Sequence, residues 1–382
     1  MSRMKQPAFL FHFDKLEDPR IDRKKLHPLP EVLLIVLTGG ICGAQSWRDF
    51  VIFGKEKLEY LRRFLPFVNG VPSKNTFARV MCALDPAVFK TCFIDWVQSF
   101  QSALREIIAI DGKTLRKSFD KATAQSAIHM VSAFATSTKL VLGQEKVNEK
   151  SNEITAIPKL LDLLFIEGAI VSIDAMGTQR AIAEKIRHKK ADYILALKGN
   201  QSSLHDNIKL FLSAEIEKKE LEKGNKIVDF YEDIDKGHGR IETRTCFVTD
   251  KIDWLEQRSE WKDLKTIAAI KSVVIDGEKT LTETRYFISS LKPCAQEIAH
   301  AIRSHWLIEN SLHWVLDVTM GEDNSRVRKD NAPENMAMVR HIILNLLRGA
   351  KNKYSKDMSL KALQKKAGWG ESTLNDILMQ AF

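Results

Sequence analysis

The sequence predicts a mixed α/β fold with a helical N-terminal region and a strand-rich insertion late in the chain, and three observations carry that reading. The first hundred or so residues repeat apolar positions at three-to-four spacing. Three successive strand patterns follow, and then helix, strand, helix and strand alternate. A second strand-rich stretch interrupts that alternation before helical periodicity resumes.

Taken in order, residues 1–104 read as a helical unit built from LPEVLLIVLTGGICG, SWRDFVIFGKEKLEYLRRFL and DPAVFKTCFIDWVQSFQSAL, with Ser46 and Asp85 as caps. Between them Ser73 caps a short helix bearing Lys74, Asn75 and Arg79 near its start. That helix either faces DNA or is a solvated turn of a bundle. The character changes at Arg105. REIIAIDG is a buried-type strand running into a glycine turn, and AIHMVSAFAT and KLVLGQEKV are two more strands, so the three form antiparallel hairpins. EITAIPKLLDLLF, GAIVSIDA, TQRAIAEKIRHKK and ADYILALK then give the helix–strand alternation of a parallel sheet. The combined order is that of a ribonuclease-H-like mixed sheet with flanking helices.

From about 225 to 291 the strand patterns KIVDFYEDIDKGHGRIETRTCFVTD and TIAAIKSVVIDGEKTLTETRYFISS, with a turn at Asp276–Gly277, form a β-rich insertion within a unit spanning 105–350. Helical periodicity returns in AQEIAHAIRSHWLIENSLHWVLDVT and in APENMAMVRHIILNLLRGA, where Pro333 sits in the first turn. Residues 351–382 read as a basic, loosely attached helical tail.

Composition bounds the possibilities. Apolar residues at 44% and charged residues at 28% suit a soluble globular chain, and 382 residues suit two or three units at roughly 150 per domain. The net charge of +9 favours polyanionic partners, although many basic proteins bind no nucleic acid. Five scattered cysteines (Cys42, Cys82, Cys92, Cys246, Cys294) form no C-x-x-C pair and fit free thiols in a reducing cytosol. The N-terminus lacks a secretory pattern, and paired glycines break the most apolar run, LPEVLLIVLTGGICGA. A cytoplasmic, nucleoid-associated location and no membrane partner are expected.

Asp111 ends one apolar strand and Asp174 another, in IIAIDGK and IVSIDAM. If those strands pair, both carboxylates emerge at one sheet edge, where mutual repulsion calls for a divalent cation. Either aspartate alone is as readily a turn residue. A third acid completes two-metal chemistry, and Glu309 fits: His305, Glu309 and His313 recur every fourth residue on one helical stripe among Trp306, Leu307, Leu312, Trp314 and Leu316. The alternative is a Glu309 paired with Arg303 or a histidine on a solvated face. His305 either meets a scissile phosphate, orients Glu309, or is simply packed.

With those residues in place, the chain resembles insertion-sequence transposases of the H-repeat-associated branch, found beside Rhs elements, in the DDE superfamily. The resemblance runs through AIDGKTLR, SIDAMGTQ, YILALKGNQ, DKGHGRIETR and IRSHWLIENSLHWVLDVTMGED into NAPENMA. It implies a ribonuclease-H-like catalytic domain over 105–350, an associated DNA-binding helical domain over 1–104, and two Mg²⁺ or Mn²⁺ ions. It also implies element-end and target double-stranded DNA as substrates, and a homodimer on DNA. Asp111, Asp174 and Glu309 become the catalytic triad and metal ligands, with His305 as a further catalytic residue. One departure is that the superfamily's Tyr, Arg and Lys around the third acid are here Ile302, His305 and Leu316. The branch's own pattern is kept as His305, Trp306, Glu309 and Asn310.

Candidate DNA contacts follow. Lys198 and Asn200 flank Gly199 after the last parallel strand, where a lysine reaches a phosphate as a point charge. Lys236, His238, Arg240 and Arg244 occupy a glycine-marked hairpin, whose alternative role is a solvated turn. Lys113 and Asn310, inside the matched motifs, complete the set. Two competing functions are a catalytically silent DNA-binding protein derived from a transposase, and a zinc hydrolase using His305, Glu309 and His313. The second lacks the His-Glu-x-x-His arrangement.

Overall fold

The computed structural model describes residues 6–100, 106–119, 126–148, 151–221, 228–237, 239–355 and 357–380. The boundary drawn at 104/105 and the start of the insertion near 225 lie outside these residues.

The N-terminal region is helical, with α1 (Ala8–His12), α2 (Leu29–Ile41), α3 (Trp47–Glu56), α4 (Leu58–Leu61), α5 (Lys74–Ala83) and α6 (Pro86–Gln98). All three expected caps form. Ser46 and Asp49 make a reciprocal capping box on α3. Ser73 accepts from Thr76 N, and Asp85 accepts from Ala87 and Val88 N with Pro86 in the first turn. The paired glycines do not end α2. A Cβ on Gly40 would stand 2.3 Å from Ile343 Cδ1, so glycine there lets α2 lie tight against a later helix.

The sheet comprises β1 (Ile107–Thr114), β2 (His129–Ala135) and β3 (Leu140–Val147), then α7 (Glu153–Leu163), β4 (Ile170–Ile173), α8 (Arg180–His188), β5 (Asp192–Leu197) and α9 (Ser202–Leu221). It continues with β6 (Asp229–Gly237), β7 (Arg240–Thr249), β8 (Thr266–Asp276) and β9 (Lys279–Ser289). All nine strands form one sheet in the order β3-β2-β1-β4-β5-β9-β8-β7-β6. β1, β4 and β5 are parallel while β2 and β3 run antiparallel, which is the ribonuclease-H-like mixed arrangement. The insertion extends this sheet, because β9 pairs antiparallel with β5 from Ile194↔Ser289 to Leu197↔Tyr286. Its far ends, around the 237–240 and 276–279 turns, are exposed on both faces.

One strand boundary differs from expectation. β1 does not turn at Gly112, because β2 continues beside it after β4 has ended, and Gly112, Lys113 and Thr114 stay in register with Val131, Met130 and His129.

The remaining elements are α10 (Ala295–His305), a π-helical turn (Ile308–His313), α11 (Trp314–Val318), α12 (Ala332–Lys351), α13 (Leu360–Trp369) and α14 (Glu371–Leu378). α12 is buried on nearly every side, and it covers the open edge of β3. There Asn345, fully buried, donates to Val141 O and accepts from Val141 N, each at 2.9 Å, so the edge strand's backbone is paired by a side chain.

The C-terminal segment is not loosely attached. Leu363, Ala367, Leu374 and Ile377 are fully buried, Tyr60 Oη donates to Asn375 Oδ1 at 2.7 Å, and Gln364 Nε2 donates to Gly40 O at 3.2 Å. Apolar residues at helical spacing close over α2 and α12, which lysine-rich composition conceals. One hydrophobic cluster therefore runs from α1 through the sheet to α14, and a second, between the sheet and α10, joins Ile107, Ile170, Ile194, Val248, Phe287 and Ile298. Among the described residues no helix is long and apolar enough to cross a membrane.

Candidate active site

The parallel register of β1 and β4 ends at Ile110↔Ile173, so the next residues stand side by side, Asp111 still in β1 opposite Ser132 and Asp174 just past the end of β4. Burial, followed by the nearby Glu309, Glu153 and Asp174 carboxylates, pushes Asp111 up to about 8. Asp174 also serves its turn, as its Oδ1 accepts from Met176 N at 3.0 Å and Gly177 N at 3.3 Å. The turn role and a place at the sheet end therefore coexist in one side chain.

The third acid arrives on an irregular helix. α10 stops at His305, and Glu309 and His313 lie in the π-helical turn, a wide turn found frequently at functional sites. His313 is buried, and its Nδ1 stands 3.4 Å from Glu309 Oε2 and 3.6 Å from Asp111 Oδ2. One ligand atom from each of Asp111, Glu309 and His313 lies within 4.8 Å of the others. Asp174 and His305 are outside that group. His305 Nδ1 sits 3.0 Å from Ser172 Oγ on β4, and burial holds its pKa below the ordinary value against the opposing pull of Asp174. Glu309 is half exposed and free of Arg303, which instead pairs with Asp235 at 2.9 Å and Asp233 at 3.4 Å.

The π turn is held from behind. Arg348 of α12 lies half-buried with its guanidinium over the Phe134 ring, and it donates to the carbonyls of Ser311 in the turn and Lys139 between β2 and β3. Two acids and an imidazole converging on one point, one of the acids half-buried and crowded by like charge, fit a divalent cation.

Behind the strand, Gly112 has a reason to be glycine. A Cβ there would fall 2.1 Å from Glu153 Oε1 and 2.4 Å from His129 Nε2. Those two groups pair at 2.7 Å, and Thr114 Oγ1 completes the chain at 2.8 Å from His129 Nδ1. Spacing alone puts His313 on the stripe but gives no sign of the π turn. A glycine inside a strand is the signal that leads to Glu153; nothing local points to Arg348.

The candidate DNA contacts divide. Lys113 Nζ is held by Asp317 at 2.7 Å, Glu322 at 3.1 Å and Asp323 at 3.3 Å, and after the opposing effect of burial these acids raise its pKa. Its charge is neutralised inside the fold, which removes it from the expected set. Lys198, Arg240 and Asn310 are exposed, as is Asn200, whose Nδ2 braces the loop after Asp174 through Ala175 O at 2.6 Å. Arg244 is half-buried and paired with Glu242. His238 lies outside the described residues. Arg244 and Asn310 both line a cleft of about 1230 Å³ between β6–β9 and α10, together with Arg285 stacked over Trp306. Its acids, including Asp233, Glu242 and Glu283, offset its arginines.

Comparison with known proteins places these residues within matched regions. The family model described as Transposase DDE domain matches residues 102–346, and the DDE_Tnp_1-associated model matches residues 10–97. The chain is 43% identical over 350 residues to "H repeat-associated putative transposase YhhI" of Escherichia coli (strain K12), covering 90% of this chain and 91% of that protein. It is equally similar, 43% over 350 residues with 90% and 88% coverage, to "Putative transposase YncI" of Escherichia coli O157:H7. A solved piggyBac transposase synaptic complex with hairpin DNA matches at 12% identity and a TM-score of 0.42 over 94% of this chain and 75% of that one, a likeness too loose to carry functional argument.

Proposed function

The chain belongs to the Transposase DDE domain family, and on that premise we propose that it cleaves DNA at the ends of an insertion element and joins the freed ends to target DNA. The observation that carries this reading is the meeting of Asp111 and Glu309 at the sheet end where Asp174 also emerges, on strands and a helix that all fall within the family match. Asp111, Asp174 and Glu309 hold magnesium or manganese, two ions in all. Bound there, such ions activate the attacking oxygen and stabilise the leaving oxygen of an in-line displacement, first with water and then with the freed 3′ hydroxyl.

The protein's own part is position and charge. The β-ladder fixes the two aspartates, the π turn carries Glu309 to Asp111, and His305, anchored on Ser172, orients a phosphate on the Asp174 side. Lys198, Asn200 and Asn310, exposed around this end, and Arg240, exposed at the far tip of the insertion, track the DNA backbone and set its register without reading sequence. Arg244 joins them only by exchanging Glu242 for phosphate. Residues 1–104 act as the associated DNA-binding unit, 105–350 as the catalytic unit, and 351–382 as a helical brace. A homodimer forms on DNA, because two ends have to be held for one insertion.

Purified protein, end-containing DNA and Mg²⁺ or Mn²⁺ test the reading. Asp111→Asn, Asp174→Asn and Glu309→Gln each abolish strand cleavage while the circular dichroism spectrum and melting curve stay those of the parent. Retained cleavage in any folded single variant rejects the triad. The competing function is a silent DNA-binding protein, and one relative, 33% identical over 78 residues, is named "Inactive transposase YbfQ" of Escherichia coli (strain K12). End binding without nicking under either metal would establish that alternative.

A further inference from the structure

We propose that His313 is itself a ligand of the cation site, so that one ion is held by a mixed Asp111–Glu309–His313 set and the protein prefers manganese to magnesium. The inference rests on the reading of the acids given above and adds a residue and a metal preference to it.

The geometry comes first. His313 Nδ1 is 3.4 Å from Glu309 Oε2 and 3.6 Å from Asp111 Oδ2. These are long for hydrogen bonds, whose N···O separations run to about 3.2 Å. They are close to the spacing of two atoms that share an ion, since ligands about 2.1 Å from a metal at tetrahedral or octahedral angles lie roughly 3.0–3.4 Å apart.

The ring is also committed to this point. His313 is only 5% exposed, and its Nε2 is buried with no hydrogen-bond partner, so its polar engagement is through the nitrogen that faces the two carboxylates. Glu309 and His313, four apart in the π turn, both face Asp111.

The preference follows from donor chemistry. Magnesium is a hard ion that takes oxygen ligands and gives up water reluctantly. An imidazole nitrogen adds affinity for a first-row transition metal and little for magnesium, and manganese is the one that also suits the carboxylates.

The test measures metal binding by the full-length protein without DNA. Titration calorimetry should show Mn²⁺ bound about tenfold or more tightly than Mg²⁺, with His313→Gln losing most of that margin and His313→Asp moving the preference toward Mg²⁺. Electron spin echo modulation of bound Mn²⁺ should show a directly coordinated nitrogen in the parent protein and none in His313→Gln. That measurement on the parent decides the matter even if the variant fails to fold. Absence of nitrogen coupling, or parent-strength Mn²⁺ binding by folded His313→Gln, overturns the inference. Asp111→Asn and Glu309→Gln separate the two levels. If they lose Mn²⁺ and His313→Gln keeps it, His313 alone is misassigned; if they keep it, the acids are not the cation site at all.

Discussion

The strand side and the helix side of the candidate site reach the same point by different physical means. Asp111 and Asp174 are placed by the sheet itself: each follows the last β1–β4 pair, Asp111 held on in the β1–β2 ladder and Asp174 just past the end of β4. Glu309 and His313 depend on a π turn, whose backbone is braced by the guanidinium of Arg348 reaching from another helix. The lesson is that the carboxylates from the sheet are preorganised by local backbone pairing, whereas the Glu309 carboxylate and His313 imidazole rely on the packing of Ile308 and Leu312 and on one long-range polar contact. A ladder distributes its support over many bonds, and a clamp concentrates it in one residue.

The most damaging way to break that asymmetry is therefore Arg348→Met. The change keeps the aliphatic volume but leaves the half-buried Ser311 carbonyl without its donor, at roughly 1–3 kcal/mol for an unpaired group, while the exposed Lys139 carbonyl turns to water. Denaturant unfolding should show a loss of about 2 kcal/mol. Hydrogen exchange should quicken first in 308–313, and Mn²⁺ affinity should fall with it. Uniform acceleration across the sheet as well would show that Arg348 supports the whole fold and not the turn.

The strand side has its own weak point. Gly112→Ala introduces a Cβ 2.1 Å from Glu153 Oε1, so the Glu153–His129 pair has to shift. Overpacking of this kind costs about 1–3 kcal/mol, and the site should lose stability while the π turn keeps its exchange protection. Relief by a second change, Glu153→Ala, distinguishes a local clash from strand damage; no relief would mean that the glycine serves β1 directly.

How much of this was legible beforehand follows the same division. The strands bearing Asp111 and Asp174 were readable because apolar runs and their order are local signals, and order alone fixes the parallel pairing of β1, β4 and β5. The end of β1 was misplaced because glycine after aspartate marks a turn or a close approach equally well, and only Glu153, forty-one positions later, decides between them. Glu309 and His313 were visible as a stripe, but the π turn was not, since its brace comes from α12 and has no local pattern. Lys113 differs for a related reason: a lysine two residues after Asp111, inside a motif that carries the family resemblance, looks like a phosphate contact until Asp317, Glu322 and Asp323 are brought against it. The tail's lysines hid a buried face in the same way.

Acid sharpens the comparison at a smaller scale, because the buried His313 and His341 belong to the helix side. His341 of α12 is fully buried, and its Nδ1 has no partner. Burial first, and then neighbours including His313, Arg340 and Arg348, carry its pKa down from 6.5 to about 3. A depressed base stays neutral in the folded protein while the unfolded chain takes up a proton, so stability is intact above about pH 6.5 and falls as the pH drops toward 3. The limiting slope for one such group is about 1.4 kcal/mol per pH unit. In metal-free buffer the parent's slope from about pH 7 to about pH 5 is the sum of this decline and the opposite contribution of Asp111, raised to about 8, so the readout of urea unfolding is the difference between chains: His341→Gln should be less acid-sensitive than the parent by up to one proton's worth. Exchange measured across the same range should open α12 and the π turn ahead of β1 and β4. If β1 and β4 open first, the ladder is the acid-sensitive element, and the division between a self-supporting strand side and a braced helix side does not hold.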